Sequence, residues 1–284
     1  MLWRRRALTM RRLGAYDRSA ALAFLDRDPV STILARVPLA EARSLRPAHA
    51  LGLFDAQGNL CALCWHGANL VPCGFDESGL DILAREIRQS RRIFSSIVGS
   101  ADQVMGLWQR IEHRFARPRE IRDNQLSMVY GGQPCVAPDP AVRLAEVGEG
   151  ALIVPASVSM FIEEVGYDPR SYGDMYARRV HELVRTGRTF VRMGRDVRGE
   201  ERVEFKADIG ALGGGVAQIQ GVWTAPDVRG RGIGAAAMVS VAQEIQRRIA
   251  PTVSLYVNDY NFAAVRAYEK AGFIQVGQYA TILF

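Results

Sequence analysis

The chain has 284 residues, 48% of them hydrophobic, which is enough for one large domain or two ordinary domains with a sizeable core. No apolar run approaches the roughly 18 residues that a membrane-spanning helix needs, and the Arg-rich opening lacks the apolar stretch of a secretory signal. The sequence therefore predicts a cytoplasmic protein that makes no membrane contact.

The net charge of +6 comes almost wholly from arginine, since only Lys206 and Lys270 are lysines. Glu86, Glu112 and other acidic residues are interleaved with the two arginine clusters, which favours solvated helix faces over a nucleic-acid surface. We therefore expect no nucleic-acid partner. The clusters are Arg85, Arg88, Arg91 and Arg92, and Arg110, Arg114, Arg117, Arg119 and Arg122.

Periodicity in the first half predicts two helices, a hairpin around the turn at 55–59, and then alternating helices and strands. The helix at 80–93 has the clearest apolar face. In chain order the predicted elements are helices at 16–27 and 31–46, strands at 51–54 and 60–65, a helix at 80–93, a strand at 95–98, a helix at 102–115 and a strand at 126–130.

Three of the four cysteines lie close to His66 in sequence, which raises the question of a zinc site. Cys61 and Cys64 fall in an apolar strand, however, where residues three apart point to opposite faces. A zinc ribbon would also need a second pair of ligands. We therefore expect no metal.

Three prolines and two glycines at 131–140 predict a linker or long loop between two halves of similar pattern. The predicted domains are residues 1–133 and 142–284. The alternation of elements predicts an α/β class with a mixed sheet and helices on its faces. The second half has strands at 143–147, 189–194, 203–211, 216–224, 253–257 and 279–284, and helices at 154–165, 172–186, about 233–248 and 261–272.

The most informative segment is the turn at 225–234, which joins the apolar strand at 216–224 to an amphipathic helix. Glycines at such a turn let backbone N–H groups approach an anion, and the helix N-terminus adds partial positive charge. Arg229 and Arg231 raise the local potential further. These features predict a pyrophosphate-binding site.

Other phosphate-binding motifs fit this turn less well. Gly230-x-Gly232-x-x-Ala235 matches the dinucleotide fingerprint, but no acidic residue lies between Glu244 and Asp259 to hold a ribose. A nucleoside-triphosphatase loop would require Lys-Ser or Lys-Thr after the glycines. The remaining alternative is a tight turn whose arginines face solvent.

After the strand at 253–257, Asn261 is a good helix N-cap and Gly272 a good helix stop. Tyr268 lies seven residues after Asn261, two turns along the same helix face. Ala264 between them leaves that face open for a ligand.

The ordered set Arg-Gly-Arg-Gly-Ile-Gly, Asn-x-x-Ala-x-x-x-Tyr and Ala-Gly-Phe resembles the GNAT superfamily of N-acetyltransferases, most strongly over 215–284. The whole chain is similar to two-domain actinobacterial members whose N-terminal half is degenerate. The resemblance implies tandem GNAT-like folds and acetyl-CoA as cosubstrate, bound where strands 216–224 and 253–257 separate. It assigns the pantetheine arm to Val222, Trp223, Thr224 and Asn261, and the pyrophosphate to Arg229, Gly230, Arg231, Gly232, Ile233 and Gly234.

The implied reaction is direct attack of a primary amine, on a small molecule or a protein, on the thioester. A backbone N–H of the separated strand would stabilise the developing oxyanion, and Tyr268 would protonate the departing thiolate. Many relatives carry a catalytic Glu on this strand, where this sequence has Gln218 and Gln220. These side chains cannot accept a proton, although they could orient a water that relays one. Other carboxylates of this half are Glu163, Glu164 and Asp208, of which the first two fit solvated helix residues, and the sequence assigns no base. The alternative function is a non-catalytic acyl-CoA sensor.

Two further expectations concern the first half and the end of the chain. Residues 99–103, after the strand at 95–98, have neither the glycine spacing nor the arginines, so the first half is expected to have lost cofactor binding. The strand at 279–284 is expected to lie antiparallel to 253–257. In that position its terminal carboxylate would be a candidate base.

Overall fold

The computed structural model describes residues 8–42, 49–90 and 92–284. Contacts divide these residues into two compact units. The first unit contains the described residues up to 127 together with 276–284, and the second contains 128–275. Residues 276–284 thus group with the first unit, and the boundaries 1–133 and 142–284 stay a prediction.

The described residues of the first unit form a mixed sheet with four α-helices. The strands follow the order β1-β2-β3-β4-β5-β12-β6, in which β4 and β5 are parallel and the other registered neighbours are antiparallel. Its elements are β1 (Thr9–Arg12), α1 (Arg18–Leu25), α2 (Pro29–Glu41), β2 (Ala50–Phe54), β3 (Leu60–His66), β4 (Asn69–Cys73), α3 (Glu77–Gln89), β5 (Ser96–Ser100), α4 (Ala101–Ile111), β6 (Glu120–Tyr130) and β12 (Phe273–Leu283).

Most elements predicted for this unit are confirmed, with ends displaced by a few residues. The predicted helix at 31–46 begins earlier, at Pro29, and its last four residues lie outside the described ranges. The predicted apolar face of α3 is buried at Leu80, Leu83, Ala84 and Ile87. The strands β1 and β4 were not predicted, because β1 is only four residues long and β4 contains Pro72.

The last strand lies elsewhere in the sheet than expected. Residues 279–283 of β12 pair antiparallel with β5, and the other neighbour of β12 in the strand order is β6. The Phe284 ring packs edge-to-face against Phe94, Trp108 and Phe115 at centroid distances of 5.7–5.8 Å. The expected pairing with 253–257 is therefore wrong, and the case for the terminal carboxylate as a base falls with it.

The second unit has the strand order β11-β10-β9-β8-β7, with β10 and β11 parallel and the other neighbours antiparallel. All of its predicted elements are confirmed within a few residues, and the mixed α/β class is confirmed with them. The elements are β7 (Val142–Leu144), α5 (Gly150–Val165), α6 (Met175–Arg185), β8 (Thr189–Arg195), β9 (Glu201–Gly213), β10 (Val216–Thr224), α7 (Ile233–Arg248), β11 (Thr252–Asn258) and α8 (Phe262–Lys270).

Two observations concern the zinc site and the membrane-spanning helix that were considered in the sequence analysis. Cys64 and Cys73 are buried thiols of the first unit's sheet, and burial raises the pKa of both, whereas Cys61 is exposed. Within the described part of the chain, no helix has the length and apolarity needed to cross a bilayer.

Candidate functional site

The central feature of the second unit is the separation of two parallel strands. Val216–Gln218 of β10 pair with Thr252–Ser254 of β11, and the register between the strands ends there. Strand β10 continues to Thr224 paired with β9, and β11 continues to Asn258. Backbone groups beyond the last pair therefore border a gap between the strands, where an extended ligand can take the place of a neighbouring strand.

A β-bulge marks the place where β10 bends away. The register with β9 pairs Gln220 with Asp208 and then Trp223 with Lys206, skipping Gly221 and Val222. Gly221 has φ +59°, and a Cβ there would lie 2.8 Å from Asp208 Oδ2. Only glycine fits this position without strain, because both the backbone conformation and the close approach exclude a side chain.

The glycine-rich turn leads directly into α7. Gly230 and Gly232 have φ of +78° and +82°, and open space surrounds the place where each Cβ would lie. Gly232 is the N-cap of α7 and supplies no capping side chain. The first N–H groups of the helix are therefore accessible to an anion, as the sequence of the turn predicts.

The turn's first arginine, Arg229, is held by Glu163, a contact that the sequence did not predict. Arg229 Nε donates to Thr224 O at 2.9 Å, and its Nη2 donates to Glu163 Oε2 at 2.6 Å. Trp223 Nε1 donates to the other oxygen of Glu163 at 3.1 Å. Glu163 lies in the last turn of α5, so one carboxylate joins α5 to two residues predicted to bind the cofactor. Arg231 Nη2 donates to Asp227 O at 3.2 Å.

Asn261 and Tyr268 lie where their motif predicts, at the start and near the end of α8. Asn261 Oδ1 accepts the Ala264 N–H at 3.2 Å and so caps the helix. Tyr268 is the one buried residue of α8, at 8% exposure. Burial raises the pKa of its hydroxyl, and the charge of Glu164 raises it further, so the hydroxyl carries its proton at neutral pH.

Gln218 and Gln220 lie at the point where β10 and β11 separate. Gln218 is 1% exposed and is paired in register with Ser254, which is fully buried. Gln220 Nε2 lies 3.5 Å from Gln218 Oε1, and the Gln220 side chain covers Gly210. Ser254 Oγ makes no hydrogen bond to any residue that the structure describes. These three polar residues lie at the end of the paired register, and none of the three is a carboxylate.

The first unit also has a helix that joins two parallel strands, but the residues at the start of that helix are acidic, whereas arginines flank the start of α7. Helix α3, which joins β4 to the parallel strand β5, corresponds to α7, so its start is the turn to compare and not residues 99–103. Asp76 caps α3 by accepting the Gly79 N–H at 2.7 Å, and Glu77 adds a second negative charge in the first turn. A Cβ at Gly74 would lie 2.6 Å from Phe24, so the turn is also filled.

Two parts of the sequence match known protein families, in agreement with the separated strands and the glycine-rich turn described above. Residues 176–273 match the acetyltransferase (GNAT) family, and residues 48–153 match a domain of unknown function (DUF4081). None of the curated proteins matches the sequence. The resemblance to the GNAT family seen in the sequence is thereby confirmed over residues 176–273, the part that the family matches.

Solved structures extend the likeness in fold to nearly the whole chain. A GNAT acetyltransferase from Colwellia psychrerythraea has a TM-score of 0.61 at 13% identity, covering 97% of this chain and 99% of its own. A GCN5-related N-acetyltransferase from Sphaerobacter thermophilus has 0.57 at 16%, covering 96% and 94%. A tandem GNAT protein of the clavulanic acid biosynthesis pathway has 0.54 at 11%, covering 97% and 98%. At these identities the likeness establishes a tandem GNAT-type fold.

The bulge yields a stability prediction. We expect Gly221→Ala to lower the free energy of unfolding by about 3 kcal/mol, because a left-handed φ and the contact with Asp208 both oppose a methyl group. Gly199→Ala is the matched control, since Gly199 has φ +82° but open surroundings and should lose only about 1 kcal/mol. Equal losses in urea unfolding would show that the close approach at Gly221 is unimportant.

Proposed function

We propose that this protein is an acetyl-CoA-dependent N-acetyltransferase that acetylates a primary amine, on a small molecule or a protein, by direct attack in a ternary complex. The observation that carries the proposal is the gap between β10 and β11 beside an uncapped, arginine-flanked helix start. Residues 142–284 would form the catalytic domain. Residues 1–133 would form a degenerate GNAT-like domain that binds no cofactor, as the acidic, filled start of α3 suggests.

The residues of this site suit two parts of acetyl-CoA, the pyrophosphate and the pantetheine arm. The N–H groups from Gly230 to Gly234, with Arg229 and Arg231, suit a pyrophosphate, because backbone donors and guanidinium groups form charge-assisted hydrogen bonds with it. The backbone of Val222, Trp223 and Thr224 and the amide of Asn261 suit the polar pantetheine arm. Bound acetyl-CoA supplies the acetyl group as a thioester.

Each catalytic residue has one role in the proposed reaction. The Val222 N–H donates to the acyl oxygen as negative charge develops there. Tyr268, whose hydroxyl carries its proton at neutral pH, gives that proton to the sulfur. Gln218 and Gln220, with Ser254 beside them, orient a water that takes the proton from the amine.

The cofactor site is tested at Gly232. Gly232→Val should lower acetyl-CoA affinity at least tenfold, because a branched side chain disfavours the left-handed φ that presents the N–H groups. Gly199→Val is the control, with the same φ in the turn between β8 and β9. The measurement is calorimetric titration with acetyl-CoA, accompanied by thermal unfolding. Unchanged affinity in Gly232→Val would contradict the assignment of this turn.

The reaction is tested at Tyr268. Tyr268→Phe should lower kcat by roughly 10²–10⁴-fold while acetyl-CoA affinity stays the same, because only proton donation is lost. Tyr279→Phe controls for the loss of a buried hydroxyl, since Tyr279 donates to the Val30 and Ser31 carbonyls in the first unit. CoA release would be followed across a panel of primary amines. Full turnover in Tyr268→Phe would remove it from the mechanism, and acetyl-CoA binding without turnover of any amine would favour the sensor.

The Glu163 contact yields a third test. Glu163→Gln should tighten acetyl-CoA binding about two- to fivefold at low salt, because the pyrophosphate no longer competes with a carboxylate for Arg229. Glu182→Gln on α6 is the control, as it releases the exposed Arg185 from a similar ion pair. Weaker binding in Glu163→Gln would show that Glu163 orients Arg229 for the ligand and does not compete with it.

A further inference from the structure

A buried ion pair lies directly beneath the bulge of β10. Lys206 is fully buried, and its Nζ lies 2.5 Å from Asp208 Oδ2. The other oxygen of Asp208 accepts the Thr189 hydroxyl at 2.8 Å. Burying two charges is costly unless every partner is satisfied, so the pair requires an explanation beyond stability.

The third contact of this lysine indicates what the pair does. Lys206 Nζ donates to the Gly221 carbonyl oxygen at 2.9 Å. That carbonyl belongs to the peptide group joining Gly221 to Val222, the two residues that the register with β9 skips. In a planar trans peptide the C=O and N–H point in opposite directions, so the Val222 N–H points away from the ammonium group.

A charged donor on a carbonyl oxygen withdraws electron density through the conjugated peptide group and strengthens the N–H at its other end as a donor. The effect is largest in buried surroundings, where water does not screen the charge. Lys206 therefore acts on the N–H group to which the proposed reaction assigns the acyl oxygen.

We propose that Lys206 is a positioning residue that fixes and polarises the Gly221–Val222 peptide, so that the Val222 N–H binds the acyl oxygen more strongly during acetyl transfer. The inference rests on the proposed function, because it needs acetyl-CoA in the gap. Asp208 pairs directly with the ammonium group, whereas the Thr189 hydroxyl contacts only Asp208.

The test asks whether Lys206 affects the binding only of a ligand that carries a carbonyl oxygen. A purely structural lysine would affect ligands with and without that oxygen alike. Two unreactive ligands are compared: the ketone analogue of acetyl-CoA, in which CH₂ replaces the sulfur, and S-ethyl-CoA, which lacks the carbonyl oxygen. The main variant is Lys206→Met with Asp208→Asn, which leaves no unpaired buried charge. Lys206→Gln with Asp208→Asn is a milder second variant that keeps an uncharged donor. Thr189→Val is the control, since it disturbs the same network without touching the lysine.

The preference for the ketone is its affinity divided by the affinity for S-ethyl-CoA. In the full-length protein we expect this ratio to fall about three- to tenfold in the main variant, with S-ethyl-CoA affinity unchanged. The kcat should fall about tenfold, less than the 10²–10³-fold cost of removing an entire oxyanion donor. Lys206→Gln with Asp208→Asn should show a smaller loss, and Thr189→Val should keep the wild-type preference.

Two results would contradict this role for the lysine. An unchanged preference in both lysine variants, or an equal loss in Thr189→Val, would overturn the inference and leave Lys206 a structural residue. If the main variant does not fold, Lys206→Gln with Asp208→Asn decides between the two roles by the same criterion. Binding of neither analogue to the wild-type protein would overturn the inference and the proposed function together.

Discussion

The separation of β10 from β11 is the constraint on which the candidate site depends. Parallel strands normally satisfy each other's backbone groups along their full length, and here the pairing ends at Gln218 and Ser254. The bend that separates the strands requires a residue with left-handed φ and no side chain, which is Gly221. It also requires a partner for the Gly221 carbonyl, which the bulge removes from regular pairing, and Lys206 supplies it from inside the sheet.

Electrostatics distinguishes the two units more sharply than their connectivity does. In both, a helix joins two parallel strands and begins at a turn that contains glycine. At α7 the N-cap has no side chain and arginines flank the turn, whereas at α3 Asp76 and Glu77 place negative charge on the same group of N–H donors. A helix N-terminus that already holds its own carboxylate offers little to a phosphate. The same fold can therefore have a cofactor site in one unit and a closed, capped helix in the other.

Features that depend on residue spacing within one helix, strand or turn could be predicted from the sequence. Contacts between residues far apart in the chain could not. The buried face of α3, the glycine turn and the Asn261 cap all follow from spacing along one element. The Glu163 contact joins residues 60 or more positions apart, and no local pattern marks it. The Lys206–Asp208 pair was not predicted, because alternation along a strand predicts which face a residue occupies but not its partners. The placement of β12 beside β5 was missed because strand order is not encoded in periodicity.

The lack of a carboxylate on β10 has a consequence for the proposed chemistry. Tyr268 is protonated at neutral pH, so it can give a proton to the sulfur but cannot take one from the amine. A water held by Gln218 and Gln220 has only its own weak basicity, since neither amide can accept a proton. On this mechanism, an ammonium group must lose its proton before attack, and the fraction of neutral amine depends on the acceptor's own pKa. A site built in this way favours amines of low basicity, for which a water is a sufficient proton acceptor.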